Sequence, residues 1–228
     1  MEHLPELMAI LAHDMRNPLA ALLTNVHFVQ SVARDTTLDI DEALSDSALS
    51  CAILSQIIGN LEVLGRAFAS SRPSPTPVGT REAASQAVAR AAPHAALAGI
   101  ETVIGAGSSG AAVLVDPMFL GRALDNLLAN ALQYSPAKGK ISIELVTKDE
   151  RGGLLVTDQG PVVPPEYREV VFTAEGQAVA KKRYDARYGR GLGLYCAAQA
   201  ARLAGADLRV GERDGQFLVE LWAPLAHT

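Results

Sequence analysis

LAHDMRNPLAAL, residues 11–22, sits in a run whose apolar residues recur in steps of three and four: Leu7, Leu11, Met15, Leu19 or Leu22, Val26, Val29 and Val32. That period marks one buried stripe along a long helix. His13 lies two positions from both Leu11 and Met15, about 200° round the helix from each, and so projects away from the stripe. Asp14 is its neighbour, and Asn17 follows one turn on. Pro18 falls inside the same helix, where it removes a backbone donor and presses on the carbonyl of Asp14. A bend is expected just after the histidine. An exposed imidazole beside an acid suits a nucleophile better than a core filler.

The 228 residues allow one large or two modest domains, each with its own core. Apolar residues make up 49%, and mean hydropathy is +0.15, which excludes a disordered chain. A net charge of −5 offers no basic footprint, so nucleic acid is not an expected partner. No apolar run of about 18 residues stands out, and no membrane span is expected. MEHLPELMAI lacks the basic start and long apolar core of a signal peptide. A cytoplasmic location is expected. Cys51 and Cys196 match no metal spacing and read as small buried residues.

Pro5 suits a first helical turn, and the helix is expected to run to about Ala33. A second helix is expected from Asp39 or Asp41, with a seam of Leu44, Ala48, Cys51, Leu54, Ile58, Leu61, Leu64 and Phe68. Two such helices make an antiparallel hairpin with apolar surface that it cannot cover alone. Pairing with a second copy would complete a four-helix bundle, so a homodimer is expected. Ser71-Arg72-Pro73-Ser74-Pro75-Thr76-Pro77 reads as an extended linker, since its prolines cannot continue a helix. Beyond it, helices are expected over Thr80–Ala98, Asp116–Gln133 and Leu192–Leu203. Strands are expected over Glu101–Ile104, Ala111–Val115, Lys140–Thr147, Leu154–Thr157, Asp207–Val210 and Phe217–Trp222. That order predicts an α+β sandwich with helices on one face of a sheet.

Three segments in this second half carry chemistry. Asn126 and Asn130, one turn apart, put two amide oxygens on the same helix face, suited to a hydrated Mg²⁺. Val156-Thr157-Asp158-Gln159-Gly160-Pro161 ends a strand in an acid and a glycine turn, where a carboxylate can accept from an adenine amino group. Gly189-Arg190-Gly191-Leu192-Gly193-Leu194 opens a helix, and its glycines let phosphates approach the helix start.

His-Asp-Met-Arg-Asn-Pro-Leu at 13–19 resembles the phosphoacceptor box of bacterial two-component sensor histidine kinases. The three later segments resemble, in order, the N, G1 and G2 boxes of the GHKL-type ATP-binding domain, shared with gyrase-type ATPases and Hsp90-like chaperones. The resemblance runs from about Leu7 to Pro224. It implies a dimerising phosphotransfer hairpin over residues 1–70, a Pro-rich linker over 71–79 and an ATP-binding (Bergerat) domain over 80–228. His13 would be the phosphorylated nucleophile and Asp14 its base. Asn17 would position water for dephosphorylation of the partner. Asn130, with Asn126, would hold Mg²⁺, Tyr134 would line the pocket and Asp158 would read adenine. Gly160, Gly189, Arg190, Gly191, Leu192, Gly193 and Leu194 would shape the ATP pocket and its lid. The implied partner is a response regulator receiver domain, phosphorylated on aspartate.

The chain departs from the family's pattern at Val162, where a glycine is usual and where a β-branched residue resists positive φ. Gln133 replaces a basic residue, the F box is reduced to Val171-Phe172, and Ala204-Gly205 replaces a histidine–glycine pair. Lys181, Lys182, Arg183, Arg187 and Arg190 gather in the expected lid with Tyr184 and Tyr188. The competing readings are a phosphorelay protein whose ATP domain has degenerated, favoured by Val162 and Gln133, and a scaffold without chemistry. Only 12 residues precede His13, so input is expected from a separate sensory protein or a longer chain.

Overall fold

The two periods become helices and strands in the computed structural model of the chain, which describes residues 4–32, 41–69, 72–105, 110–173, 175–176 and 192–227. Side chains of the first helix are described over 15–29, and those of the second from Ala43 onward. In order come α1 (Leu4–Val32), α2 (Asp41–Phe68), β1 (Thr76–Gly79), α3 (Thr80–Ala98), β2 (Glu101–Ile104), β3 (Ala112–Val115) and α4 (Pro117–Tyr134). Then follow β4 (Lys140–Lys148), β5 (Arg151–Asp158), two short 3-10 turns, α5 (Gly193–Ala204), β6 (Asp207–Arg213) and β7 (Gln216–Pro224). The chain divides into two compact units, Met1–Leu61 and Glu62–Thr228.

The second unit is an α+β fold on a five-stranded mixed sheet, in the order β2-β4-β5-β7-β6. Only β2 and β4 among its neighbours run parallel. Ile141, Ile143, Leu154, Val156, Phe217, Val219 and Leu221 alternate onto one face and share a core with residues of α3, α4 and α5. The other face is partly covered by side chains that reach across strands. Arg213 meets Glu144 at 2.8 Å, and the Trp222 ring lies over Gly153, where a Cβ would come within 2.8 Å of it. Val63 joins the core, and Glu62 meets Arg122 at 3.7 Å, so the last turns of α2 are built into this unit.

A separate two-stranded sheet pairs β1 with β3. It takes residues 76–79 out of the stretch expected to be linker. Pro77 tolerates this because it supplies no ladder donor at a short edge strand.

Asp116 joins three segments. Its carboxylate accepts the amides of Met118 (3.1 Å) and Phe119 (3.4 Å), capping α4, and also the amide of Ser74 (3.0 Å). Its own amide donates to the carbonyl of Ala204 at the end of α5 (3.0 Å).

In the first unit α1 continues through Pro18 without a break. Its covered positions are Met15, Pro18, Leu22, Asn25 and Val29, while Leu19, Leu23, Val26 and Phe28 are exposed. On α2 the covered positions include Ala43, Ser50, Ile57 and Leu64; Leu44, Cys51, Ile58 and Phe68 are exposed. The expected seams are therefore corrected at Val26, Leu44, Ala48, Cys51, Ile58 and Phe68, and of the alternatives Leu19 and Leu22 it is Leu22 that is covered. Each helix carries a second apolar strip, and periodicity alone cannot say which strip a single chain covers. Ala43–Phe68 is long and apolar enough to cross a membrane by length and composition, with a hydropathy of 1.4. The sequence expectation of no such segment overlooked it because Ser, Asn and Gly are scattered through the helix.

Asp116→Ala should lower the unfolding free energy of the second unit by about 1–2 kcal/mol. Asp116→Asn, an equally good cap, should recover most of it. Urea denaturation followed by fluorescence of Trp222, the sole tryptophan, checks this; equal midpoints for the alanine variant and the unmodified chain would contradict it.

Candidate functional site

The end of α4 and the end of β5 meet at one point. Asp158 is buried, and its Oδ1 accepts the amide of Gly160 at 2.7 Å, which folds the chain into a tight turn. That turn drives the Gly160 backbone against α4. A Cβ on Gly160 would lie 2.6 Å from the carbonyl oxygen of Tyr134 and 2.9 Å from Asp158 Oδ1. Only glycine fits, because of this contact and not because of φ, since Gly160 is not among the glycines with positive φ.

The two asparagines behave differently. Asn126 is 1% exposed, and its Nδ2 donates to the carbonyl of Arg122 at 2.9 Å. Asn130 retains 8% exposure, and its amide makes no hydrogen bond among the described residues. Asn130 is thus the one whose oxygen is available to a ligand. Tyr134 closes the helix beside Gly160.

Val162 is not strained. Positive φ among described non-glycine residues occurs at Lys138, Asp149, Glu150 and Asp214, and Val162 packs against the core. Residue 162 does not take the positive φ that a β-branched side chain resists, and its side chain is used for packing. Val171 and Phe172 form a 3-10 turn; Val171 is buried in the core and Phe172 packs against it. Gln133 is exposed.

Leu192 and Leu194 are buried on either side of Gly193, which opens α5 with free space where a Cβ would stand. Leu192, at the N-cap, offers no side-chain cap, and no side chain among the described residues takes the first amides of this helix, which is the arrangement that suits an anion. Gly189, Arg190 and Gly191 lie outside the described residues, as do Lys181, Lys182, Arg183, Tyr184, Arg187 and Tyr188. Residue 13 and residue 14 lie on α1, but the side chains of His13 and Asp14 are not among those described; Asn17 is exposed.

Cys196 is buried, which pushes its thiol up to about 12 and keeps it protonated. Cys51 is exposed, contrary to the expectation of a buried residue, because it faces along the second strip of α2. A groove of about 510 Å³ lies away from this site, between β1, α3 and the start of α4. Arg90 and Asp125 pair across it at 2.7 Å, leaving both charges satisfied.

Residues 115–227 match the family described as histidine kinase-, DNA gyrase B-, and HSP90-like ATPase. The Signal transduction histidine-protein kinase/phosphatase MprB of Mycolicibacterium smegmatis is 29% identical over 217 residues, covering 92% of this chain and 42% of MprB. Residues 115–227 carry this ATPase domain, and the relatives of the chain are named as sensor histidine kinases, Sensor-type histidine kinase PrrB of Mycobacterium leprae among them (29% identical over 95% of this chain and 47% of PrrB). The chain spans less than half the length of these two relatives. Its fold is similar to that of ShkA, solved full-length in complex with AMPPNP, with a TM-score of 0.64 and 25% identity over 98% of this chain and 46% of ShkA. It is also similar to histidine kinase ThkA, solved in complex with response regulator protein TrrA, with a TM-score of 0.61, 17% identity and coverage of 99% and 63%.

Spacing singles out Asp158 and Asn130, which stand at the end of β5 and in the last turns of α4. It could not find Gln159, whose side chain bonds the first residue of β4, because that contact depends on two turns meeting in space.

Gly160→Ala should cost about 1–3 kcal/mol of stability by overpacking, whereas Gly193→Ala, with space to spare, should cost nothing. Urea unfolding of the two variants, compared by Trp222 fluorescence, checks the contrast; equal midpoints would contradict it.

Proposed function

We propose that the chain is the kinase core of a two-component signalling system, phosphorylating His13 from ATP and passing the phosphoryl group to an aspartate of a response regulator receiver domain. The observation that carries this reading is the buried Asp158, whose glycine turn packs against the Tyr134 carbonyl at the end of the helix that bears Asn130, in a domain of the histidine kinase-, DNA gyrase B-, and HSP90-like ATPase family. Asp158 supplies an acceptor for the amino group of adenine. The start of α5 would receive the phosphates. The oxygen of Asn130 fits Mg²⁺, a hard cation that shares phosphate oxygens, with Asn126 fixing that stretch of helix. When bound, Mg²⁺ neutralises charge on the phosphates.

One ring nitrogen of His13 attacks the γ-phosphorus while Asp14 holds the proton on the other. An N–P bond forms as the P–O bond to ADP breaks. Asn17, exposed on α1, is proposed to position water when the phosphorylated regulator is hydrolysed; MprB is itself named a kinase/phosphatase. The response regulator partner is supported by the ThkA–TrrA complex, a fold neighbour.

The proposed domains are a phosphotransfer hairpin over 1–70 and an ATP-binding domain over 80–228, joined by the stretch 71–79, whose last four residues pair as β1 with β3 of the second unit. Dimerisation to a four-helix bundle is proposed through the exposed strips of Leu19, Leu23 and Val26 on α1 and Leu44, Cys51 and Ile58 on α2. These recur at steps of three, four or seven, the spacing of a helix–helix seam. The machinery is proposed to work in the cytoplasm, with sensory input arriving from outside these residues. The degenerate reading loses its main support with the unstrained Val162.

Incubation with labelled ATP and Mg²⁺ should label His13 alone, through a phosphoramidate that is labile in acid and stable in base. His13→Gln should abolish the label and leave ATP binding unchanged. Label that survives acid, or persists in the variant, would contradict the proposal. Ile58→Glu should shift the sedimentation mass from dimer to monomer; an unchanged mass would remove α2 from the interface.

A further inference from the structure

β4 and β5 pair without interruption from Lys148↔Arg151 to Ile141↔Asp158, so the next rung would set Lys140 opposite Gln159. The backbone cannot make that rung. After Asp158 it turns away, drawn by the bond from Gly160 to Asp158 Oδ1, and runs against the Tyr134 carbonyl. The missing acceptor comes from a side chain: Gln159 Oε1 accepts the amide of Lys140 at 2.9 Å.

The same oxygen also bounds the turn that leaves α4. It lies 3.2 Å from where a Cβ on Gly139 would stand, and the Pro136 carbonyl oxygen lies 2.7 Å from that point. The Gly139 amide donates to the Pro136 carbonyl at 2.9 Å, and its carbonyl accepts from Glu101 at 3.0 Å. Lys138, just before, holds φ at 61°, a left-handed conformation that a lysine adopts at some cost. This turn therefore needs holding, and the Gln159 side chain does it from the neighbouring loop.

We propose that Gln159 is a positioning residue for the nucleotide site, acting through its amide oxygen to fix the α4–β4 turn against the turn after β5. Tyr134 lies at one end of this linkage and Asp158 and Gly160 at the other, so the linkage helps to hold the strand end that bears Asp158 in register with the helix end that bears Tyr134. The inference rests on the reading of Asp158 and its surroundings as the ATP site. The bond is at the surface, so its loss should register at that site and not in global stability. Only an acceptor at the right reach is required. Glutamate meets that requirement; methionine keeps the shape without the oxygen.

The test uses the full chain and calorimetry with ATP, with adenosine as a second probe free of phosphate charge. Gln159→Met should weaken both by about three- to tenfold, and Gln159→Glu should restore adenosine binding. The KM for ATP in self-phosphorylation should rise with Gln159→Met while the rate at saturation holds. Urea midpoints should be equal for all three proteins. Wild-type affinity in Gln159→Met, no rescue by Gln159→Glu, or a midpoint that falls in step with affinity would overturn the positioning role. A wild-type chain that binds neither ligand would overturn the ATP reading itself, and the inference with it.

Discussion

The approach of the Gly160 backbone to the carbonyl of Tyr134 is the contact on which the rest of the second unit depends. It exists because Asp158 spends one carboxylate oxygen on the Gly160 amide, turning the chain as soon as β5 ends. A side chain at 160 would force the strand end and the helix end apart by more than either can yield, as both are anchored in the core. Val162, two residues later, is free of this crowding and packs inward. The family's glycine at that position is thus dispensable here, while the one at 160 is not.

Asp116 does comparable work at the opposite end of α4. One carboxylate satisfies the first turn of the helix and the amide of Ser74, and the adjacent backbone amide reaches the end of α5. The helix bearing Asn130 and Tyr134 is therefore fixed at both ends by hydrogen bonds from buried acids or by contacts of glycine backbone. Its sides are held by apolar packing. A helix so held presents Asn130 in a fixed place, as pre-organised recognition of a charged ligand requires.

Much of this was legible in the sequence because local chemistry and global packing agree. Asp116-Pro117 with a three-four period gave α4 nearly to the residue, and alternation gave β4 and β7. β1 was hidden because Thr76-Pro77-Val78-Gly79 resembles a linker by composition; its pairing with β3 is a distant contact that no local period announces. The covered faces of α1 and α2 were misjudged at Val26, Leu44, Ala48, Cys51, Ile58 and Phe68 because both strips of each helix are apolar. At the site, the spacing of Asn126 and Asn130 placed them on one helix face, but it could not show that Asn126 is buried and donates to the Arg122 carbonyl. The work of Gln159 depends on two turns meeting and leaves no trace in the local pattern.

The most direct test of the account is a crystal structure of the chain with Mg²⁺ and a nonhydrolysable ATP analogue. The account predicts the purine beside the strand end that bears Asp158, with its amino group within hydrogen-bonding distance of the Asp158 carboxylate. The phosphates would lie toward the start of α5, and Asn130 would reach the metal. A nucleotide lodged elsewhere, such as the groove between α3 and α4, or one whose adenine makes no contact with Asp158, would contradict it.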